Sequence, residues 1–174
     1  MEDSLKGRLL IAAPSLYDFF RRAVILMVEH NEEGAFGVVL NRPSETTIGE
    51  AVPTLAEVAD PEDVVRIGGP VGAESVVLLG EFEEPEDSPK IVVGNVGVVD
   101  PGEASALDRV RVYAGHSGWG PGQLESELEQ EAWLIESARP GDPFRDDDLW
   151  VVALNRRGGD YALLATMPED PSLN

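Results

Sequence analysis

The sequence predicts an α+β fold, and two observations predict it. Short β-branched runs recur along the chain and are joined by polar, glycine-bearing loops, the pattern of hairpins. Stretches with helix-boundary signals are scattered among these runs rather than alternating with every one of them. The chain of 174 residues, 43% hydrophobic and 6% aromatic, is long enough for a proper core. No internal repeat or clear linker interrupts it, so one domain spanning residues 1–174 is expected.

Taken in order, "RLLIAAP" (8–14) is a short apolar run closed by proline and reads as a strand. "SLYDFFRR" (15–22) opens on a capping-type serine and predicts a helical turn with Phe19 and Phe20 packing inward. "AVILMVEH" (23–30) and "AFGVVLNRP" (35–43), separated by "NEEG", predict a hairpin. Pro43 has no N–H for a ladder and marks the end of the second strand. "TIGEAVPTLAEVADPED" (47–63) predicts one helix or two short ones punctuated by proline. "VVRIGGPVG" (64–72) reads as a strand entering a Gly-Gly-Pro turn, "SVVLLGEF" (75–82) as another strand, and "EEPEDSPK" (83–90) as a solvent-facing loop.

"IVVGNVGVVD" (91–100) is extended, "PGEASAL" (101–107) is expected as a short helix, and "RVRVYAG" (109–115) alternates like a half-buried strand. From Pro121 to about Ser137 the spacing is helical, with Leu124, Leu128, Ala132 and Ile135 on one face. Trp133 falls roughly opposite that stripe, so it must meet another element or a partner. "LWVVALN" (149–155) alone reads as a buried strand. Three aspartates before it, Arg156 and Arg157 at its end and Gly158-Gly159 beyond are helix boundaries, and a helix is predicted. "YALLATMP" (161–168) is expected as a strand.

Charge narrows the function classes. Thirty-three acids against 13 Lys and Arg give a formal net charge of −20. Nucleic-acid affinity comes mostly from basic residues releasing counterions from phosphates, so this balance argues against direct nucleic-acid binding. That activity would need a contiguous basic patch from Arg8, Arg21, Arg22, Arg109 and Arg111. No apolar run approaches the roughly 20 residues that span a bilayer, so no membrane is expected. The N-terminus shows no export signal and the chain no cysteine, and the cytoplasm is the expected compartment.

The stretch "YAGHSGWGPGQLESEL" (113–128) carries most of the candidate chemistry. Gly115 and Ser117 fit the start of a G-x-S-x-G nucleophile elbow, but Trp119 stands where the second glycine belongs. No histidine follows His116, so the usual hydrolase order is missing too. Gly115, Gly118, Gly120 and Gly122 precede a helix, yet no GK[ST] follows and dinucleotide spacing is absent. His30 and His116 carry no metal-ligand spacing. No metal and no cofactor is expected. Trp119, a large aromatic in a glycine-rich turn, is either a lid on the core or the wall of a binding surface.

Three stretches together resemble the YqgE/AlgH family of bacterial proteins: "EHNEEGAFGVVLNRP" (29–43), "GGPV" (68–71) and "AGHSGWGPGQLESELEQEAWL" (114–134). The resemblance runs from about Gly7 to the end, and the C-terminal segment is similar to the actinobacterial branch. It implies a mixed, largely antiparallel, curved sheet flanked by helices in a cytosolic protein. No biochemical activity is established for the family. Some members are labelled transcriptional regulators although the family shows no helix-turn-helix, which implies indirect regulation.

The matching positions are Glu29, His30, Gly34, Gly37, Asn41, Pro43, Gly68, Gly69, Pro70, Gly115, Gly118, Trp119, Gly122, Gln123 and Leu124. At His116 and Ser117 the family often has Tyr and Ala or Ser. A motif that tolerates alanine at Ser117 does not depend on its hydroxyl. The leading expectation is therefore a non-catalytic binding or indirect regulatory module, with an unidentified protein or small molecule as partner. Its expected surface joins His30, Asn41 and Arg42 at the first hairpin to Gly68, Gly69 and Pro70. Gly115, His116, Trp119 and Gln123 complete it. The alternative is a hydrolase of a small anionic or acyl substrate using His30 or His116 as base.

Overall fold

The β-branched and aliphatic runs become strands that pair largely antiparallel, with neighbours in sequence paired first. The computed structural model describes residues 4–16, 18–103 and 106–166. Strands β1 (Arg8–Ala12), β2 (Val24–Asn31) and β3 (Gly34–Val39) form an antiparallel meander. The expected hairpin closes between Asn31 and Gly34. Pro43 does not end its second strand. It opens β4 (Pro43–Thr47), which pairs with β5 (Val64–Ile67). Between these lie the short helix α1 (Ile48–Ala51) and a 3-10 turn (Pro53–Leu55), where one helix or two short ones were expected. Thr47 caps α1 by accepting from the Glu50 N–H.

Strand β6 (Val71–Phe82) starts directly after the Gly-Gly-Pro segment, and β7 (Lys90–Val93) and β8 (Val96–Val98) form a second hairpin. Strand β9 (Leu107–Trp119) is the hub of the sheet. It pairs antiparallel with β6 along one side and, along the other, with β3 and, in parallel, with β5. The ten strands of the described residues form one sheet with main order β10-β1-β2-β3-β9-β6-β8-β7, where β10 is Trp133–Ser137. This largely antiparallel sheet with few helices is an α+β architecture.

Four expectations are corrected. Residues 15–16 and 18–22 make turns and bends rather than a helical turn, with Asp18 accepting from the Phe20 N–H at 2.9 Å. Tyr17 lies outside the described residues, while Phe19 and Phe20 do pack against the core as expected. Residues 101–103 form a turn, and Ala104 and Ser105 of the expected helix at 101–107 lie outside the description. The helix over 121–137 is α2 (Gln123–Glu129) followed by strand β10. Glu131, at φ 60, ends α2: its N–H donates to Leu128 O and that of Ala132 to Glu127 O, both at 3.0 Å, a Schellman closure. The strand expected at 161–168 is instead helix α4 (Asp160–Leu164), with Met167 and Pro168 outside the described residues.

The helix predicted before it is present as α3 (Leu149–Arg157), capped by Asp148 and stopped at Gly158. It covers one face of the sheet, where Leu9, Leu26, Val38, Leu79 and Tyr113 pack with Trp150 and Leu154. On the opposite face, α2 and the Phe19–Phe20 turn cover Leu10, Ile25, Met27 and Val39, while α1 covers Val65, Leu78 and Val112. No helix of the described residues is long and apolar enough to cross a membrane.

Candidate functional site

The segment expected to be a glycine turn is strand. Residues 115–119 continue β9, and Gly115, at φ +71, sits where the β6 ladder steps from Val76↔Ala114 to Val71↔His116. A residue in this conformation inside a strand is a bulge, which shifts the two-residue alternation by one. Tyr113 and His116 consequently share one face, with His116 tilted against Phe36 at a centroid distance of 4.9 Å. Ser117 and Trp119 turn to the other face. Ser117 is fully buried, and its hydroxyl donates to Gly68 O at 3.1 Å.

The Gly-Gly-Pro segment does meet this bulge. The Gly68 N–H donates to Ala114 O at 2.9 Å, and a Cβ on Gly69 would stand 2.1 Å from His116 O. Gly68, Gly69 and Gly115 are thus glycines because two backbones touch, while Pro70 is exposed. Trp119, read as either a lid on the core or the wall of a binding surface, is buried at 6% exposure, as the lid reading requires. Its indole N–H donates to Glu127 at 3.0 Å, as does that of Trp133 at 2.9 Å, and the two rings meet edge to face. The partner that Trp133 required is therefore this cluster. Gln123 accepts from the Gly120 N–H and donates to Glu127, both at 3.0 Å, which fixes the start of α2.

His30 is buried beneath α2. Its Nδ1 accepts from the Leu5 N–H at 3.0 Å and its Nε2 lies 3.1 Å from Glu125. A nitrogen that accepts a backbone N–H carries no proton, so Nε2 is the protonated one and donates to Glu125. The Glu125 carboxyl sits below its ordinary range, held there by a backbone hydrogen bond at its own residue and then by His30. Both histidines are thus occupied in packing the sheet.

Asn41 and Arg42 lead elsewhere. The Asn41 amide accepts from the Val24 N–H at 3.0 Å and donates to Arg22 O at 2.9 Å, closing the end of the β2–β3 pair. Arg42 donates to Phe19 O and, at 2.7 Å, to Arg21 O, and its guanidinium lies over the Phe19 ring at 4.9 Å. Burial lowers its pKa. Both residues line a cleft of about 610 Å³ formed by the β1–β2 connection, the β3–β4 corner and the strap 145–148 ahead of α3. The other eight expected site residues do not line it.

Five arginines line this cleft, Arg21, Arg22, Arg42, Arg66 and Arg145, together with four aspartates, Asp18, Asp146, Asp147 and Asp148. The arginines are five of only 13 basic residues in a chain of net charge −20. Arg22 stacks on Trp150 at 4.4 Å. Arg145 and Asp147 form a two-pronged pair at 2.8 and 2.6 Å, which holds the Asp147 carboxyl below its ordinary range. Arg66 reaches Asp63 at 3.2 Å and Asp146 at 3.4 Å. On β9, Arg111 shares Asp146, at 2.9 Å. The Tyr113 phenol beside them is fully buried, and desolvation pushes its pKa far up despite the two cations. Sequence reasoning missed this grouping because residues 21, 42, 66 and 145 come together only through the topology.

The AlgH-like family model matches residues 9–162. A UPF0301 protein of Streptomyces coelicolor is 45% identical over 98% of this chain and 96% of its own length. One from Mycobacterium tuberculosis is 41% identical over 97% and 90%. The crystal structure of protein DIP2367 from Corynebacterium diphtheriae superposes with a TM-score of 0.82 at 30% identity, covering 95% of this chain and 93% of the other. The solution structure of the AlgH protein from Pseudomonas aeruginosa gives 0.73 at 28% identity, covering 97% and 96%. Those matches agree with the motifs at 29–43, 68–71 and 114–134, and the chain belongs to the AlgH-like (YqgE/AlgH) family.

Proposed function

We propose that this chain is a non-catalytic binding module, a single domain of the cytoplasm, whose recognition surface is the arginine-lined cleft beside Asn41 and Arg42. One observation carries the reading: five of the 13 basic residues of a strongly acidic chain surround one cleft. The chain as a whole carries −20, whereas the cleft lining, five arginines against four aspartates, has a formal charge of +1, which favours anionic ligands there. The occupant is an anionic small molecule or an acidic segment of a protein, and any regulatory effect is indirect, through that occupant. A hydrolase using His30 or His116 draws less support, since His30 is hydrogen-bonded at both ring nitrogens and His116 packs on Phe36.

Titration calorimetry with citrate and with a polyglutamate peptide, at low and at physiological salt, tests the proposal. Binding that weakens with salt and is lost in the double variant Arg22→Ala, Arg145→Ala is the expected result. No binding of either anion to the wild type, or binding undiminished in the double variant, overturns it.

A further inference from the structure

We infer that Arg66 and Arg111 form a phosphoryl-binding site that the chain's own Asp146 carboxylate occupies in the unliganded state. The inference rests on the cleft being the recognition surface and names the chemistry of what enters it.

Arg66 and Arg111 stand on the adjacent parallel strands β5 and β9. Arg66 is in register with Tyr113, and Arg111 lies two residues before Tyr113 on the same face. Their side chains are only 7% and 11% exposed, so neither guanidinium is a mobile surface group. From behind, Asp63 holds both, at 3.2 Å from Arg66 and 3.6 Å from Arg111. Both Nη2 groups also converge on a single oxygen, Oδ1 of Asp146, at 3.4 and 2.9 Å; Arg66 and Asp146 line the cleft, and Arg111 reaches it through this shared carboxylate. Two fixed guanidiniums aimed at one oxygen are the geometry with which proteins grip an oxyanion.

Asp146 is a poor permanent partner for such a pair. Its side chain is 78% exposed, and it sits on a strap with no helix or strand between Arg145 and Asp148. It also leaves Nη1 of Arg111 buried with no hydrogen-bond partner. A carboxylate supplied by the chain itself is present at high effective concentration, so an external monocarboxylate adds nothing to displace it. A phosphoryl group does add something: it is close to dianionic at neutral pH and offers three acceptor oxygens. Its further oxygens can reach donors that one carboxylate oxygen does not, the unpartnered Nη1 of Arg111 among them. Asp146 is already 78% exposed and returns readily to water, and the phosphoryl oxygens would take its place on both buried guanidiniums, so neither cation is left unpaired.

The test is an NMR titration of the full chain with inorganic phosphate, with acetate as the control, in the wild type, Asp146→Asn and Arg111→Lys. Asp146→Asn removes the internal competitor and should tighten phosphate binding roughly two- to fivefold, the equivalent of one exposed ion pair. Arg111→Lys keeps its charge against Asp63 but loses the fork, and should lose phosphate binding while its melting curve shows it folded. ADP and a phosphoserine peptide separate the carriers: whichever binds more tightly than inorganic phosphate bears the recognised group. Phosphate no tighter than acetate, or unchanged by Asp146→Asn, overturns the inference even if citrate still binds at the cleft. Failure of every anion, citrate included, instead removes the binding reading itself.

Discussion

Replacing Gly69 by alanine tests whether the Gly-Gly-Pro segment is built for backbone contact. A Cβ there would lie 2.1 Å from both the carbonyl carbon and oxygen of His116 and 2.4 Å from the Ser117 nitrogen. All three are backbone atoms of β9, the strand that pairs with β3, β5 and β6, so no side chain can rotate away to make room. Gly69 is not in the left-handed region, so the cost is one of space alone. Overpacking a close-packed site costs about 1–3 kcal/mol, and a clash with a central strand belongs at the upper end. The reduced freedom of the unfolded chain returns at most about 1 kcal/mol. The net loss is roughly 2–3 kcal/mol, and for a chain of this size that lowers Tm by roughly 5–10 °C. Gly120→Ala is the control: nothing lies within 4 Å of its Cβ, and its melting point should stay close to wild type. Differential scanning calorimetry reads both. A Gly69→Ala protein melting within about 2 °C of wild type would refute the backbone-contact reasoning.

Three other outcomes follow from particular contacts. Asp142 is buried and paired through both oxygens to Arg156, whose side chain is 10% exposed. Asp142→Ala strands that cation and should cost about 3–5 kcal/mol in urea unfolding; a loss under about 1 kcal/mol would contradict the pairing. Nitrogen-detected NMR should find neutral His30 protonated at Nε2, because Nδ1 accepts from Leu5; an Nδ1–H form would show that contact to be wrong. Glu81 is held below its ordinary pKa chiefly by its hydrogen bond from Arg109, and Glu125 by its backbone hydrogen bond and His30. Depressed carboxylates stabilise the fold above the unfolded value of about 4.3 and lose that contribution as pH falls through the folded value. The double variant Glu81→Gln, Glu125→Gln should therefore flatten the acid limb of the stability curve below about pH 4.3, and an unchanged limb would count against both contacts.

The elements legible in the sequence were those whose signals are local. The 24–39 hairpin carried its own loop, and α3 carried Asp148, Arg156, Arg157 and Gly158 at its ends. The leucine stripe at 124, 128, 132 and 135 was correct about burial, since all four residues join one cluster. It failed on continuity because Glu131 takes the left-handed position where glycine would have announced the stop. The edge of β1 then supplied the partner that made 133–137 a strand. Glycines at 115 and 118 suggested a turn because a glycine cluster reads alike whether it bends a chain or lets two backbones approach. Of the expected site, Asn41 and Arg42 face the cleft, while Trp119 and His30 are packing residues. The cleft itself was hidden because its arginines come from four segments that only the sheet order brings together.

The most direct test of the central claim is amide chemical-shift mapping of the labelled protein with citrate at low salt. The account predicts shifts confined to the cleft, at Phe19, Arg22, Asn41, Arg42, Arg66 and 145–148, and their collapse as salt is raised. Shifts centred instead on Gly118, Trp119 and His30, or none along the cleft, would contradict it.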